Sequence, residues 1–571
     1  MPYGTATAPY NFVPLPSALL RAPMDDGATT DEGRQDAYRA YVEEHGTLAG
    51  TIELTITAET PVFVGAGNSD RFFSPVDAAS PVIPGSTLRG MTKNLVKILT
   101  CGAMRATEDD ADFNDKRLYF RTMASSDNGL RNLYQKELCE RGSDKKMHNC
   151  AQAGFLIHDS KDQAYYICPT TFRVEEGPKN EVEDHPAEIL WNSHAVTCYT
   201  GPMNKKRHYT VHDVPQDFGE RLPVHPAIVQ SYRDDITRDG LNLLKAGKQQ
   251  EEAADFTHDS TIDFVAPCFY AGNEKGIRHF GFGRNYRIPY QKSIGDHVPR
   301  FLQSEGIDFA DALFGRKELW GSRLAFEDAP ATTKADPVLA AYPKVLSSPK
   351  PTSFQLYLTQ KNPDHLDHWN TNDVHIRGYK LYWHQPQANW RGDQANVNTK
   401  ITPHKLTPMP AGTVFCSRIR FSRLAPVELG ALLKCFELAE KNPNLRYKIG
   451  QGKSLGLGSV RIDAKLRMLD EKKNAAALFT PDGAWERAEH DEPPAAYTEA
   501  FDEYLQSHLD AKGKSAYQAL LRALTKLLDY HAAASAPDWS SRVRAMTIDQ
   551  GSDNQDKPFQ NRWILPNATE V

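Results

Sequence analysis

The sequence lacks the paired cysteines of a disulfide framework. Its eight, Cys101, Cys139, Cys150, Cys168, Cys198, Cys268, Cys416 and Cys435, are scattered without a Cys-x-x-Cys pair, as suits reduced thiols. No apolar run approaches the roughly 18 residues that a membrane helix requires, so no membrane partner is expected. Residues 1–20 are proline-rich and aromatic, without the charged flank and apolar centre of a secretory signal, and a cytoplasmic location is expected. Positive charge is not in excess either: 67 Lys and Arg face 73 Asp and Glu, a formal net charge of −6. Nucleic-acid binding must therefore come from local basic stripes rather than a global field. No low-complexity tract or convincing repeat is present. What remains is globular in composition, 40% hydrophobic and 25% charged over 571 residues, a length that favours several structural units or one domain with a large insertion.

Periodicity supplies the elements. Ile52, Leu54 and Ile56 alternate with polar neighbours across Gly50–Ala58, the period-two pattern of a half-buried strand. After a loop rich in Gly, Ser, Asp and Pro, residues 86–99 place Leu88, Met91, Leu95, Ile98 and Leu99 on one helical face, with Ser86 or Thr87 expected as the N-cap. Arg89, Lys93 and Lys97, four apart, form a basic stripe beside that face, either an RNA contact or a solvated surface. Strands are predicted at 321–326, 353–358, 413–421 and 459–463, and helices at 426–438 and 515–530. The order strand, helix, strands, helix, strand is that of a ferredoxin-like (RRM-like) α+β core. We divide the chain into an N-terminal extension (1–48), a core (49–102 and 311–470), an insertion (103–310) and a C-terminal helical extension with tail (471–571).

Four glycines fall within nine residues in Gly450-Gln-Gly-Lys-Ser-Leu-Gly-Leu-Gly458. Glycine admits positive φ and close approach of main-chain N–H groups to a phosphate, so Gly450, Gly452, Lys453, Ser454, Gly456 and Gly458 are candidate RNA-backbone contacts; a tight connection without ligand is the alternative. A P-loop would need glycine where Tyr447 stands. The segment 278–290 interleaves cations, Arg284 among them, with aromatics, which suits stacking and phosphate contact and equally suits a packed strand. Cys139, His148 and Cys150 are a zinc candidate of irregular spacing, with buried or incidental side chains the favoured alternative.

Pro81-Val-Ile-Pro-Gly-Ser-Thr-Leu-Arg-Gly90 together with Gly450–Gly458 resembles the paired signatures of the CRISPR-associated RAMP superfamily, and Leu313-Phe-Gly315 with residues 321–328 resembles its middle motif. Asn11-Phe-Val-Pro-Leu15, residues 350–358, Arg377-Gly-Tyr-Lys-Leu-Tyr-Trp-His384 and Trp563-Ile-Leu-Pro566 are similar to a longer, insertion-bearing branch linked to type III effector complexes. The resemblance implies a backbone subunit that lines guide RNA, meets complementary target RNA and assembles with other effector subunits. It also implies that Asp77, in the loop after the first strand, corresponds to an aspartate that supports Mg²⁺-dependent cleavage of target RNA, with Asp70 a nearby second carboxylate. A noncatalytic backbone subunit, a metal-independent guide-processing endoribonuclease and a scaffold without RNA contact are the alternatives. None of the 19 histidines sits in a motif that marks a general base.

Overall fold

The structure is a computed structural model; it describes the chain except residues 1–4, 66–69, 76–79, 107–111, 122–127, 142, 144–146, 204, 216, 236–240, 274–275, 347–351, 398, 400–401, 403, 478–487 and 547–561. Its centre is an antiparallel sheet. Strand β1 (Leu48–Ala58) lies in the middle, helix α1 (Gly85–Leu99) follows, and then come β2 (Leu324–Phe326), β3 (Val414–Leu424), helix α2 (Pro426–Lys441), the short β4 (Tyr447–Lys448) and β5 (Ser459–Leu469). The strands stand in the order β2-β3-β1-β5-β4, a ferredoxin-like core. Register places Ile52 against Ile419 and Leu466, and Ile56 against Phe415 and Ile462. All six are buried, so the alternation in the sequence becomes one apolar face, over which α1 and α2 pack.

Helix α1 starts at Gly85, not at a Ser86 or Thr87 cap: Gly85 N–H donates to Asp328 Oδ1 at 2.7 Å. The middle motif thus caps the first helix from a distance of 243 residues. Helix α2 takes Pro426 in its first turn, and Glu428 accepts from Ala425 N–H at 2.9 Å while its buried carboxylate pairs with Arg323. Two further helices, α3 (Ala495–His508) and α4 (Ala511–Leu528), join the same core through Phe501, Leu505, Leu520 and Leu524. The strand expected at 353–358 is instead a 3-10 turn, Phe354–Leu356, where Phe354 and Leu358 enter one cluster and Leu356 another.

Between the two halves of the core, residues 117–293 build their own β-structure, with a six-stranded sheet centred on Gln152–Asp159 and Ile262–Asn273 and a four-stranded sheet beside it. The chain is back in the central core by Val298, since Leu302, Ile307 and Phe309 pack there. The distant segments 10–13, 379–382 and 563–566 meet in one clasp: Tyr10–Val13 pairs antiparallel with Tyr379–Tyr382, and Asn11 Nδ2 and Arg377 Nη2 both donate to Pro566 O, at 3.1 and 3.0 Å. Among the described residues no helix is long and apolar enough to cross a membrane.

Candidate nucleic-acid interface

The glycine segment leaves β4, turns and enters β5, closed at its neck by Ile449 N–H donating to Gly458 O at 2.9 Å. Gly450 and Gly456 show why the residue type matters. Both have left-handed φ, +73° and +95°; a Cβ on Gly450 would overlap Phe63 O, and one on Gly456 would come within 2.7 Å of Ala388 Cα. The loop is fastened from outside: Gln451 N–H donates to Phe63 O and Gly458 N–H to Pro61 O, Thr60 Oγ1 donates to Gly456 O, and Gln385 Nε2 to Ser454 O. The N–H groups of Gly450, Gly452, Lys453 and Ser454 have no acceptor among the described residues. Unpaired N–H groups in successive turns form an anion-binding concavity.

This loop faces α1 across a cleft of about 560 Å³, whose α1 wall is Ser86, Thr87, Gly90, Met91 and Asn94. Three lysines enter it: Lys448, Lys453 and Lys380. Among the described residues no carboxylate and no histidine lines it. Burial, with the neighbouring Lys453 charge, pushes the Lys448 ammonium down to about 7; its Nζ donates to Leu457 O at 2.9 Å and reaches Lys453 O at 3.5 Å. Burial lowers Lys453 and Lys380 as well, and Lys380 Nζ sits 4.0 Å from the Tyr10 ring centroid. Desolvated cations without a counter-charge are a preformed deficit that an anion relieves.

The basic stripe of α1 does not act as one surface. Lys97 is a correction: it is 7% exposed and its Nζ is ion-paired with Asp112, so it stabilises the fold. Arg89 turns to the other side of the helix, where Nη2 donates to Phe314 O at 2.8 Å and the guanidinium lies over the Phe314 ring; it lines a separate open groove with Arg316 and Trp320. Lys93 lines neither. Arg284 belongs to the packing of the insertion, donating to Asn149 O at 3.2 Å and lying over Phe172. The zinc candidates do not all converge: Cys139 and Cys150 lie close enough to interact, but Cys139 is paired across its ribbon with Asn149 while His148 faces Glu140, which alternation puts on the opposite side. No group of three metal-ligating side chains occurs among the described residues. Asp77 lies outside the described residues; nearby, Asp70 Oδ1 is engaged by His404 Nδ1 at 3.0 Å and Ser74 Oγ donates to Ser80 O at 2.7 Å.

The open face of the central sheet carries Arg418, Arg420, Glu53, Arg461, Asp463 and Lys465, with no aromatic side chain. It therefore lacks the stacking platform of an RNA-recognition motif, and Arg420, Arg461 and Lys465 are each paired with a carboxylate. The cationic cleft lies at the glycine-loop end instead. Sequence reasoning missed Lys448 and Lys380 as its cations. Lys380 had a trace, its place in the 377–384 motif; Lys448 had none, because its position depends on the return of the loop.

A ferredoxin-like core with a cationic cleft walled by a glycine loop defines the class of this protein. The family model of the RAMP superfamily matches residues 55–461, and the chain belongs to that superfamily. Its proteins work in CRISPR ribonucleoprotein complexes with RNA and other subunits. No curated protein matches the chain.

Proposed function

We propose that the chain is a cytoplasmic backbone subunit of a type III CRISPR effector complex, holding guide RNA by its phosphates in the cleft between α1 and the glycine loop and presenting it to complementary target RNA. The observation that carries this is the cleft itself: Gly450 and Lys453, whose N–H groups have no acceptor among the described residues, line it together with Lys448 and Lys380, and no carboxylate does among the described residues. Such a surface recognises backbone charge and is indifferent to base identity. The type III assignment rests on the motifs at 11–15, 377–384 and 563–566, and their meeting in one clasp makes them one structural feature.

We assign to Asp77 the task of holding Mg²⁺ for target cleavage. One carboxylate is a sufficient protein ligand for an ion that keeps most of its water, and the ion when bound supplies charge stabilisation at the scissile phosphate. Asp70, held by His404, is not needed for this. The metal-independent reading has a group of suitable acidity in Lys448, but among the described residues no histidine or carboxylate lines the cleft beside it to complete an acid–base pair.

The test is reconstitution with guide RNA and a complementary target, with Mg²⁺ or EDTA. Asp77→Ala is expected to retain guide RNA and lose on the order of a hundredfold in cleavage rate, with Asp70→Ala near wild type. Cleavage that survives Asp77→Ala next to this subunit refutes the catalytic assignment. No RNA recovered with the native protein above background refutes the binding assignment too.

A further inference from the structure

The α1 wall of the cleft differs in kind from the lysine wall. Thr87, Met91 and Asn94 recur at i, i+4 and i+7, so they stand in one row along the helix, about 10 Å from end to end. Gly90 leaves a gap beside this row. It lies in a helix interior, where glycine is the poorest residue short of proline, yet it is exposed, and a Cβ placed on it would meet nothing within 4 Å. Among the described residues none needs the room that this glycine leaves.

The polar groups of the row are unpartnered. The Thr87 hydroxyl and the Asn94 amide, both half-buried, make no hydrogen bond to any described residue, whereas Thr92, on the buried side of the same helix, donates to Leu88 O at 2.9 Å. No charged residue of α1 lines the cleft, so a phosphate is drawn to the lysines and free N–H groups opposite. A hydroxyl and a carboxamide each both donate and accept, which matches a sugar hydroxyl, itself donor and acceptor. Met91 between them offers an apolar rest to the carbon face of a sugar ring.

We propose that the α1 wall reads the ribose: one sugar sits over Gly90, and its 2′-hydroxyl exchanges hydrogen bonds with Asn94 and Thr87. The cleft then selects RNA over DNA, which phosphate contacts alone do not achieve. The proposal rests on the reading that the chain holds a nucleic-acid backbone by its phosphates, and it assigns the residues that determine sugar specificity there.

The test uses the full chain with oligouridylate and oligodeoxyuridylate of equal length, affinity being read by fluorescence anisotropy at fixed salt. Wild type is expected to favour the ribose form by about tenfold, the worth of two hydrogen bonds. Asn94→Ala is expected to lower RNA affinity severalfold while leaving DNA affinity as in wild type, and Thr87→Val to do the same; the two together are expected to bring the ratio near one. Gly90→Leu, whose Cβ meets no neighbour in the free protein, is expected to keep the circular dichroism spectrum and melting temperature of wild type or better and to weaken both oligonucleotides, because the sugar loses its seat. Equal affinity of wild type for the two forms, or a ratio that survives the double variant, overturns the sugar contact and leaves the phosphate contacts standing. Equal loss of RNA and DNA binding in Asn94→Ala marks a structural role and overturns the contact likewise. Unchanged affinity in a folded Gly90→Leu overturns the seat. Failure of wild type to bind either oligonucleotide overturns both the ribose contact and the cleft.

Discussion

Lys448 makes RNA affinity depend on pH in a defined direction. In the free protein its ammonium titrates at about 7, lowered from 10.5 first by burial and then by Lys453. Phosphate in the cleft favours the charged form and raises the value toward normal. Below pH 7 the lysine is charged with or without RNA, so affinity is flat. Above pH 7 binding must take up a proton, and log affinity falls by up to one unit per pH unit. Between pH 6 and 9 the loss is about a hundredfold if the bound value is near 10. The groups that face Lys448 are Lys453, whose own lowering adds to the slope, Tyr447, raised by burial, and His384, which burial holds neutral. The assay is RNA affinity against pH at constant salt for wild type and Lys448→Arg. Arginine stays charged throughout, so the variant is expected to lose most of the slope while binding at pH 6. A wild-type profile flat from pH 6 to 9, or a Lys448→Arg profile as steep as wild type, refutes the reasoning. The free protein carries the complementary signature. Because this folded-state value is lowered, the unfolded chain binds the extra proton between about 7 and 10.5, and the Lys448 contribution to stability rises with pH across that window.

Gly456→Val forces a β-branched residue to φ +95° against Ala388; it is expected to cost about 2–3 kcal/mol locally and to abolish RNA binding, checked by denaturation and anisotropy. Lys453→Ala is expected to weaken binding evenly across RNA sequences and to reduce the slope of log affinity on log salt by roughly one unit; a base-specific loss would contradict phosphate contact. Lys97→Ala removes a buried cation from Asp112, whose carboxylate stays partly solvated and still accepts from Arg105 N–H, and is expected to destabilise the fold by about 1–3 kcal/mol, while the salt slope of RNA binding stays unchanged. Arg284→Ala is expected to loosen the insertion without altering affinity at the cleft, measured by proteolysis and anisotropy side by side.

The periodic elements were legible in the sequence because their patterns are local. Alternation at Ile52, Leu54 and Ile56 needs only neighbours to mark a strand, and Leu88, Leu95, Ile98 and Leu99 need only the helical repeat. The order of those elements was enough for the ferredoxin-like class, and the glycine spacing marked the loop because positive φ at four positions is written in residue type. Charge could not be read in this way. Arg89 and Lys97 share a helix and a spacing, yet one lies over Phe314 and the other is paired with Asp112, since helical position sets direction while only tertiary neighbours set the partner. The same holds for Gly85, capped by Asp328 rather than by an adjacent hydroxyl, and for His148, turned away from Cys139 by strand register. Lys448 is the extreme case: an unremarkable lysine in sequence, it becomes the cation with the most strongly displaced acidity in the cleft because the loop folds back over it and removes its water. Local sequence decides which backbone a segment adopts; the long-range packing decides which side chains lose solvent, and that loss sets the chemistry of the site.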